Sequence, residues 1–155
     1  MSATNAYLAK AAAVDLMTVA CGAATPGTAL SGVDVSYAYR RDLGDKCIYG
    51  GGFTFTHEDM TGERNVLLAE VAECDFYARV VCRPRCDVKV ADLAVSGIVN
   101  ALGAVFEANP TLAGGIRWLD MPRGQGDYQM PTTDDETIAV MSFRLRFGSN
   151  VDWGL

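Results

Sequence analysis

Residues Asp87–Pro110, DVKVADLAVSGIVNALGAVFEANP, carry the clearest periodic pattern in the chain. Apolar residues recur there at steps of three and four positions, which predicts an amphipathic helix because such residues share one helix face. The stripe consists of Ala91, Val95, Ile98, Leu102 and Val105, widened by Ala94, Ala101 and Phe106. Asp87 is the predicted N-cap, since its carboxylate can accept from the free amides of the first turn. The Asn109–Pro110 pair, followed by two glycines, predicts the end of the helix.

This helix needs a partner to be stable. Burial of about six large apolar side chains contributes roughly 10–18 kcal/mol at ~1.5–3 kcal/mol each. Fixing the backbone of about 20 residues costs roughly 20–40 kcal/mol. Strand-like runs flank the helix on both sides, so we expect it to lie on a sheet. The last run, 137–147, alternates Ala139, Met141, Phe143, Leu145 and Phe147 with Val140, Ser142, Arg144 and Arg146.

The remaining elements complete an α+β pattern. Residues Ser2–Ala20 predict an Ala-rich helix, with Leu8, Ala12, Leu16 and Val19 as a possible stripe. Alternation predicts strands at 33–39, 46–56, 116–121 and, with a bulge or kink, 66–83. Polar loops are predicted at 40–45, 57–65 and 122–136. The order α-β-β-β-α-β-β predicts a mixed or antiparallel twisted sheet with two helices packed on one face.

Length and composition restrict the class of protein. The chain has 155 residues, 50% of them hydrophobic and 21% charged, which predicts a single α+β domain over 1–155. The net charge of −6 argues against a nucleic-acid-binding surface, which needs clustered Lys and Arg. Five cysteines, an odd number, favour reduced thiols in a cytosolic compartment. We expect no export signal or lipid anchor before Cys21, and no apolar run of the ~18 residues that span a membrane.

A search for catalytic patterns yields only weak candidates. The triple glycine Gly50–Gly52 lacks the sequence GxxxxGK[ST] and a following helix, so a hairpin, a bulge or a close-packing site is favoured over phosphate binding. The single histidine, His57, leads into Glu58 and Asp59 on a predicted open loop, where a solvated triplet is favoured over a general base. We therefore predict no catalytic residue, no cofactor and no metal site.

Two clusters keep other chemistry open. Cys82 and Cys86, with Cys74 upstream, could offer thiolates to zinc, but the CxxxC spacing has no second pair. Flanking arginines would lower the thiol pKa values, so a reactive cysteine is the other possibility, although incidental thiols are favoured. The second cluster is an acidic loop region formed by Asp120, Asp127 and Asp134–Glu136. It could hold calcium or magnesium, but it lacks the oxygen spacing of an EF-type loop, so a solvated loop is favoured.

Several segments together resemble a known family. The segments are FYARVVCRP (76–84), SGIVNALGAVFEANP (96–110), TLAGGIRWLDM (111–121) and TIAVMSFRLRF (137–147), preceded by VDVSYAY (33–39) and CIYGGG (47–52). In order and spacing they are similar to the tail-terminator (tail-completion) proteins of long-tailed bacteriophages. The likeness covers most of the chain, and it consists of an apolar pattern with glycines. The loop HEDMTGERN (57–65) and the cysteines depart from the family pattern.

The resemblance implies a structural virion protein and not an enzyme. Proteins of this family form a ring, usually of six subunits, that caps the head-proximal end of the tail tube, stops tube growth and joins the tail to the head–tail connector. The implied partners are further copies of the chain, the major tail tube protein and the connector (stopper) protein. Genomic DNA would pass through without specific binding, which a negative net charge would suit. Assembly would take place in the host bacterial cytoplasm, with no membrane partner.

A ring of identical subunits requires that one surface of a protomer meets a different surface of the next. We expect the Pro122–Glu136 loop and the face that carries Arg144 and Arg146 to contribute, because they are polar and oppositely charged. The predicted contact residues are Arg123, Gln125, Asp127, Tyr128, Asp134, Asp135, Arg144 and Arg146.

Two alternative functions stay open at this stage. The first is another neck or tail-tube component of the same virion, because related folds recur among such proteins and a fold alone does not fix the position in a particle. The second is a small α+β ligand-binding domain or enzyme. Its best candidate residues are His57, Glu58 and Cys82.

Overall fold

The structure is a computed structural model that describes residues 5–59, 67–112, 116–121, 128–129 and 135–152. Within these ranges the elements are α1 (Ala6–Gly22), β1 (Asp34–Ser36), β2 (Lys46–Asp59), β3 (Leu67–Cys82), α2 (Val88–Glu107), β4 (Trp118–Asp120), β5 (Tyr128–Gln129) and β6 (Thr137–Asp152). The fold is α+β, and the predicted order of elements is confirmed. The two-residue strand β5 is an addition, since it lies in the stretch predicted to be a loop.

The six strands form one mixed sheet. Its order is β1-β2-β3-β6-β4, and β5 pairs with β6. Strand β1 runs parallel to β2, whereas the other pairs are antiparallel. Strands β3 and β6 pair without interruption from Leu67–Asp152 to Cys82–Thr137, so these two 16-residue strands form the centre of the sheet.

Both helices pack against the same side of this sheet. Successive side chains of a strand point to opposite faces, and in β3 every second residue is buried: Ala72, Cys74, Phe76, Ala78 and Val80. These residues share one hydrophobic core with the buried residues of α1 and α2 and with Ala139, Phe143, Leu145 and Phe147 of β6. We call this side of the sheet the core face and the other side the open face.

Helix α2 matches the prediction from its sequence. Asp87 is the N-cap, and its carboxylate accepts from the Lys89 backbone N–H at 3.1 Å. The predicted stripe lies on the sheet, with Ala91, Val95, Ile98, Leu102 and Phe106 buried. The expectation that no apolar run reaches the length of a membrane span is wrong, because this helix is long and apolar enough to cross a membrane. Because this stripe packs against the strands β3 and β6, we interpret α2 as a core helix.

Helix α1 is present, but its predicted stripe is wrong. Leu8 and Val19 are 69% and 68% exposed. The buried side instead consists of Ala6, Ala9, Lys10, Ala13, Val14, Met17 and Cys21. Small alanine side chains allow the helix to lie close to the sheet, so they are buried while Leu8 is exposed; Leu16 of the predicted stripe is partly buried against the core. The carboxylate of Glu70, itself 1% exposed, accepts from the Asn5 backbone N–H at 2.8 Å at the start of the helix, where a negative charge is favourable.

The triple glycine forms a bulge in β2. Gly50 pairs with Phe76 and Phe53 pairs with Cys74, so Gly51 and Gly52 together stand opposite the single residue Asp75. The predicted bulge or close-packing site is therefore confirmed at the glycines. The irregularity predicted within 66–83 is wrong, because β3 is one continuous strand and its partner β2 carries the extra residue.

The side chain of Lys10 explains why a glycine occupies position 50, directly before the two bulged residues. Lys10 reaches from α1 to the bulge with only 5% exposure, and its ammonium donates to the Gly51 carbonyl oxygen at 2.9 Å. The same ammonium lies 4.0 Å from the centre of the Tyr37 ring. A Cβ atom at Gly50 would overlap the Tyr37 carbonyl oxygen and would lie 2.6 Å from the Lys10 Cε atom. Only glycine leaves room for the lysine.

Several element boundaries differ from the prediction. Strand β1 has three residues in place of seven, because only Asp34–Ser36 pairs with β2. Strand β2 continues through His57 to Asp59, so these residues do not begin a loop, and 60–66 lie outside the described residues. Strand β6 extends to Asp152 because β3 offers a pairing partner along its full length. In each case the neighbouring strand sets the boundary.

Candidate interaction surface

The open face carries polar and aromatic residues in register across the three long strands. Cross-strand pairing places Glu73 opposite Arg146 and Asp75 opposite Arg144. One step further along the strands, Tyr77 stands opposite Tyr49 and Arg79 opposite Cys47. Neither helix covers this face, since the buried residues of both pack on the core face. The same two-residue period that builds the core therefore builds an ordered polar surface on the other side.

Four charged residues form a ladder, which we call the charge ladder: Glu73, Asp75, Arg144 and Arg146. The Arg144 guanidinium bridges both acids, with Nε 2.9 Å from Asp75 Oδ1 and a terminal nitrogen 3.3 Å from Glu73 Oε2. Arg146 Nε lies 3.7 Å from the other oxygen of Glu73. The ladder holds two positive and two negative charges, so its net charge is zero and it offers no attraction to a phosphate backbone.

The charge ladder orders the face more than it stabilises the fold. Its side chains are 37% to 48% exposed. Exposed ion pairs contribute roughly 0–1 kcal/mol each, because water screens the charges and long side chains lose rotamer freedom. The pairing nevertheless holds each guanidinium in a fixed position, with part of its surface available to a partner.

Trp118 closes one end of the ladder. This residue of β4 pairs with Gly148, and its indole ring lies against the glycine so closely that a Cβ atom there would overlap it. The Arg146 guanidinium lies 5.8 Å from the centre of the indole ring, within the range of a cation–π interaction. Trp118 is 37% exposed, so the open face presents an aromatic side chain beside the charges.

Three tyrosines lie at the other end of the ladder. Tyr49 stacks on Tyr77 with ring centres 5.3 Å apart, and Tyr39 contacts the edge of Tyr49 at the same distance. Tyr39 is on the 37–45 segment, which is tied to β1 by a Gly44 backbone N–H bond to Asp34 at 3.3 Å. Partial burial raises the pKa of Tyr49, although the Arg79 guanidinium opposes this effect. We call Tyr39, Tyr49 and Tyr77 the tyrosine stack.

Arg79 lies between the tyrosine stack and a buried thiol. Cys47 is fully buried although it faces away from the helices. Burial raises the pKa of the Cys47 thiol, and the Arg79 guanidinium opposes this effect as well. The Nε–H of Arg79 is buried and has no acceptor among the described residues. Arg79 therefore links the tyrosine stack to the buried Cys47 thiol within the open face.

A shallow groove crosses the charge ladder next to the glycine bulge. Its volume is about 250 Å³. The lining residues are Gly52, Phe53, Thr54, Glu73, Asp75 and Arg144. Sites for small molecules are usually enclosed cavities of ≈ 300–1,000 Å³ with a mainly apolar lining. The groove is smaller and contains paired charges, so it resembles part of a protein contact surface more than a ligand pocket.

The predicted contact residues fall into two groups. Arg123, Gln125, Asp127 and Asp134 lie outside the described residues, so their predicted role stays a prediction. Tyr128 lies in β5, whose backbone pairs with β6 at Met141, and Asp135 is exposed. Arg144 and Arg146 share the open face, as their spacing predicted. Glu136, at the end of the predicted loop, pairs with Arg83 of the same chain at 2.6 Å.

The candidates for an enzyme do not come together. His57 pairs with Glu70 in the sheet, and Cys82 lies 12 residues further along β3, about 40 Å away at ~3.3 Å per residue. Burial and contact with Cys86 raise the pKa of the Cys82 thiol to about 11. The expectation that arginines lower it is therefore wrong, since Arg83 points to the acids Asp45 and Glu136.

The metal-site alternatives fare no better within the described part of the chain. Cys74 and Cys82 are eight residues apart on one continuous strand, which separates them by about 26 Å, too far to share a zinc ion. No group of three or more His, Cys, Asp or Glu side chains lies close enough to hold a metal ion in the described ranges. The acidic residues Asp127 and Asp134 lie outside those ranges.

Sequence reasoning missed most of the open face. Glu73, Asp75 and Tyr77 alternate with buried residues in β3, which was a visible signal, but the pattern was interpreted as an irregular strand. Trp118 and Gly148 gave no signal, because their contact depends on how β4 pairs with β6. Comparison of the sequence with models of known protein families found no match, and a search of curated proteins found none either.

Proposed function

We propose that this protein is a structural component of a bacteriophage virion, a tail terminator whose copies form a ring at the head-proximal end of the tail tube. Two things support the proposal. The sequence resembles that family in the order and spacing of its segments. The structure has an ordered open face with features of a protein contact surface, and this is the observation that carries the proposal.

The composition of the open face favours a protein partner. Contact surfaces between proteins are enriched in Tyr, Trp and Arg, and their energetically important residues come from the same types. The open face presents the tyrosine stack, Trp118, Arg79 and the two arginines of the charge ladder. In an assembly of identical subunits, such a face is suited to contact with further copies of the chain.

The charge arrangement suits a ring around DNA. In a closed ring, the open face of one protomer would meet a different surface of the next, since head-to-tail contacts generate rings. The charge ladder is neutral as a unit, so the net charge of −6 comes from residues outside the ladder. A negative ring would let DNA pass without retaining it. The acidic 122–136 segment remains our proposed partner surface for Arg144 and Arg146.

Electron microscopy of the purified protein, alone and mixed with tail tubes, tests the proposal, with light scattering to give the mass in solution. We expect closed rings, or discs that cap one end of the tube. Capped tubes that stop growing distinguish a terminator from another neck component, which would join elsewhere. A monomer that ignores tubes under all conditions would contradict the proposal.

A set of charge variants tests the role of the open face in assembly. Reversal of Arg144 and Arg146 to Glu should abolish rings, because four acidic groups would then crowd the face. The matched control adds Glu73→Arg and Asp75→Arg, which restores opposite charges within the chain but inverts the pattern. If the face contacts a neighbouring subunit, the control also fails to assemble. If the control assembles normally, the ladder acts only within its own chain.

A further inference from the structure

The corner where β3 ends and α2 begins brings two cysteines together. Cys82 is the last residue of β3 and pairs with Thr137 of β6. The Thr137 hydroxyl donates to the carbonyl oxygen of Cys86 at 2.7 Å. This bond holds Cys86 beside the residue that stands opposite Cys82. The Cys86 thiol also raises the pKa of the Cys82 thiol, as expected for two thiols that lie close together.

These two cysteines differ from the other three in access. Cys21, Cys47 and Cys74 are buried, whereas Cys82 and Cys86 are half-buried at the edge of the core. A thiol must be reachable to react with a disulfide reagent, and it forms an internal bridge only when a second thiol stands next to it. In the described part of the chain, only this pair satisfies both conditions.

We propose that Cys82 and Cys86 are an oxidisable dithiol, which a small disulfide such as oxidised glutathione converts into a disulfide within the chain. One thiol loses its proton, attacks a sulfur of the glutathione disulfide and releases one glutathione thiolate. The second thiol then attacks the mixed disulfide and releases the other glutathione. The two cysteines lose two electrons and two protons, and the glutathione disulfide is reduced to two thiols.

The bridge would fix the geometry of the corner. Cys86 directly precedes the N-cap Asp87, so the bond would join the end of β3 to the start of α2. Arg83, between the cysteines, already holds Glu136 at 2.6 Å and Asp45 at 3.6 Å, so the backbone between the thiols is tied to two other segments. The loop closed by the bridge is short, so we expect the bridge to stabilise the fold less than one that closes a long loop. This inference does not depend on the proposed function.

The environment of Cys82 determines how the reaction responds to pH. Burial and the contact with Cys86 raise its pKa, and Asp45 adds to this, whereas Lys46 opposes it. Because the thiolate is the attacking form, attack by Cys82 should be slow at neutral pH and faster as the pH rises towards about 11.

Peptide mapping of the oxidised protein tests the proposal. The folded, reduced full-length chain is incubated with oxidised glutathione, and free thiols are then blocked before digestion with trypsin. Trypsin cleaves after Arg85 but not before Pro84, so Cys82 and Cys86 fall on separate peptides, 80–85 and 86–89. We expect these two peptides to be joined, with the loss of two hydrogen masses. The free-thiol count should fall from five to three.

Two variants keep the test decisive. Cys86→Ser should leave Cys82 as a glutathione adduct with no joined peptide, because the second thiol is absent. Cys47→Ala should leave formation of the bridge unchanged, because that thiol is buried elsewhere. Separate glutathione adducts on Cys82 and Cys86 in the folded wild-type chain would overturn the proposal. A bridge to any other cysteine, or five unreacted thiols where the urea-unfolded chain reacts, would overturn it too.

Discussion

The two faces of the sheet use alternate residues of the same strands for different purposes. On the core face, Phe76 of β3 is fully buried and stacks on Phe143 of β6 with ring centres 5.5 Å apart. On the open face, its neighbour Tyr77 is half-buried and stacks on Tyr49. On the core face, close packing of apolar neighbours fixes each side chain. On the open face, ion pairs and ring stacking hold the side chains in place. We therefore expect mutations on the core face to affect folding and mutations on the open face to affect association.

The largest expected difference is between Phe76→Ala and Tyr77→Ala. Removal of a fully buried aromatic ring leaves a cavity and costs roughly 3–5 kcal/mol. Removal of the Tyr77 ring deprives Tyr49 of its stacking partner, but water can fill the space at this surface. The Tyr77→Ala change should therefore cost less than half as much free energy of unfolding. Urea unfolding followed by circular dichroism gives both free energies of unfolding. Equal losses would mean that the open face is part of the folding core.

The buried thiols extend the comparison to high pH. Burial raises the pKa of Cys74 on the core face from 9.0 to about 12. Between these values the unfolded chain loses a proton that the folded chain keeps, so stability falls as the pH rises, by at most about 4 kcal/mol. On the open face, burial also raises the pKa of the Cys47 thiol, but the Arg79 guanidinium opposes this rise.

Unfolding curves measured from pH 8 to pH 11 test this difference. Cys74→Ala should flatten the alkaline loss of stability, and Cys47→Ala should flatten it less. The Cys74→Ala variant should also cost some stability at pH 7, because a buried group is lost. Identical alkaline slopes for the wild type and both variants would show that neither thiol contributes.

The three adjacent glycines allow the stability cost of an added methyl group to be compared between the two faces of the sheet. A Cβ atom at Gly50 would meet Lys10 and the Tyr37 backbone, so Gly50→Ala should cost roughly 1–3 kcal/mol. At Gly51 the Cβ would lie 2.8 Å from the Tyr77 ring, which faces the open side and can move, so the cost should be smaller. Gly52→Ala is the control, because nothing lies within 4 Å of its Cβ position. Thermal melts should rank the three variants in this order.

The smallest expected effect is in the charge ladder. A double-mutant cycle with Arg144→Ala and Asp75→Ala should give a coupling free energy below about 1 kcal/mol, since both groups are about two-fifths exposed. The coupling should decrease further in 1 M salt, because the Debye length falls to ≈ 3 Å. A coupling several times larger would place the ladder among the determinants of the fold.

The sequence predicted what depends on local periodicity. Helix α2, its N-cap Asp87 and the alternation of β6 all follow from spacing within one segment, and the structure confirms them. The stripe of α1 was wrong because only its contact with the sheet reveals that small alanines are buried. An irregularity was also predicted in β3 because its pattern was interpreted as blurred, and only the pairing with β2 shows that the extra residue lies at the glycines.

The interaction surface was partly predictable. Arg144 and Arg146 were placed on one face by their spacing. Their acidic partners Glu73 and Asp75 are about 70 residues away in the sequence, so the pairing required the register of β3 with β6. The contact of Trp118 with Gly148 likewise depends on the β4–β6 pairing. Long-range register, which no local pattern encodes, determines most of this face.

The Lys10 ammonium has a consequence for how many ways α1 can dock. A shift of the helix by one turn, about 5.4 Å, would remove the ammonium from the Gly51 carbonyl and leave a buried charge without an acceptor. An apolar side chain would tolerate such a shift. Lysine at this position therefore destabilises shifted helix positions more than it stabilises the correct one. We expect Lys10→Met to retain most of its stability but to populate several helix positions, seen as duplicated amide resonances. A single set of sharp resonances would show that the buried alanines of α1 fix the helix position without Lys10.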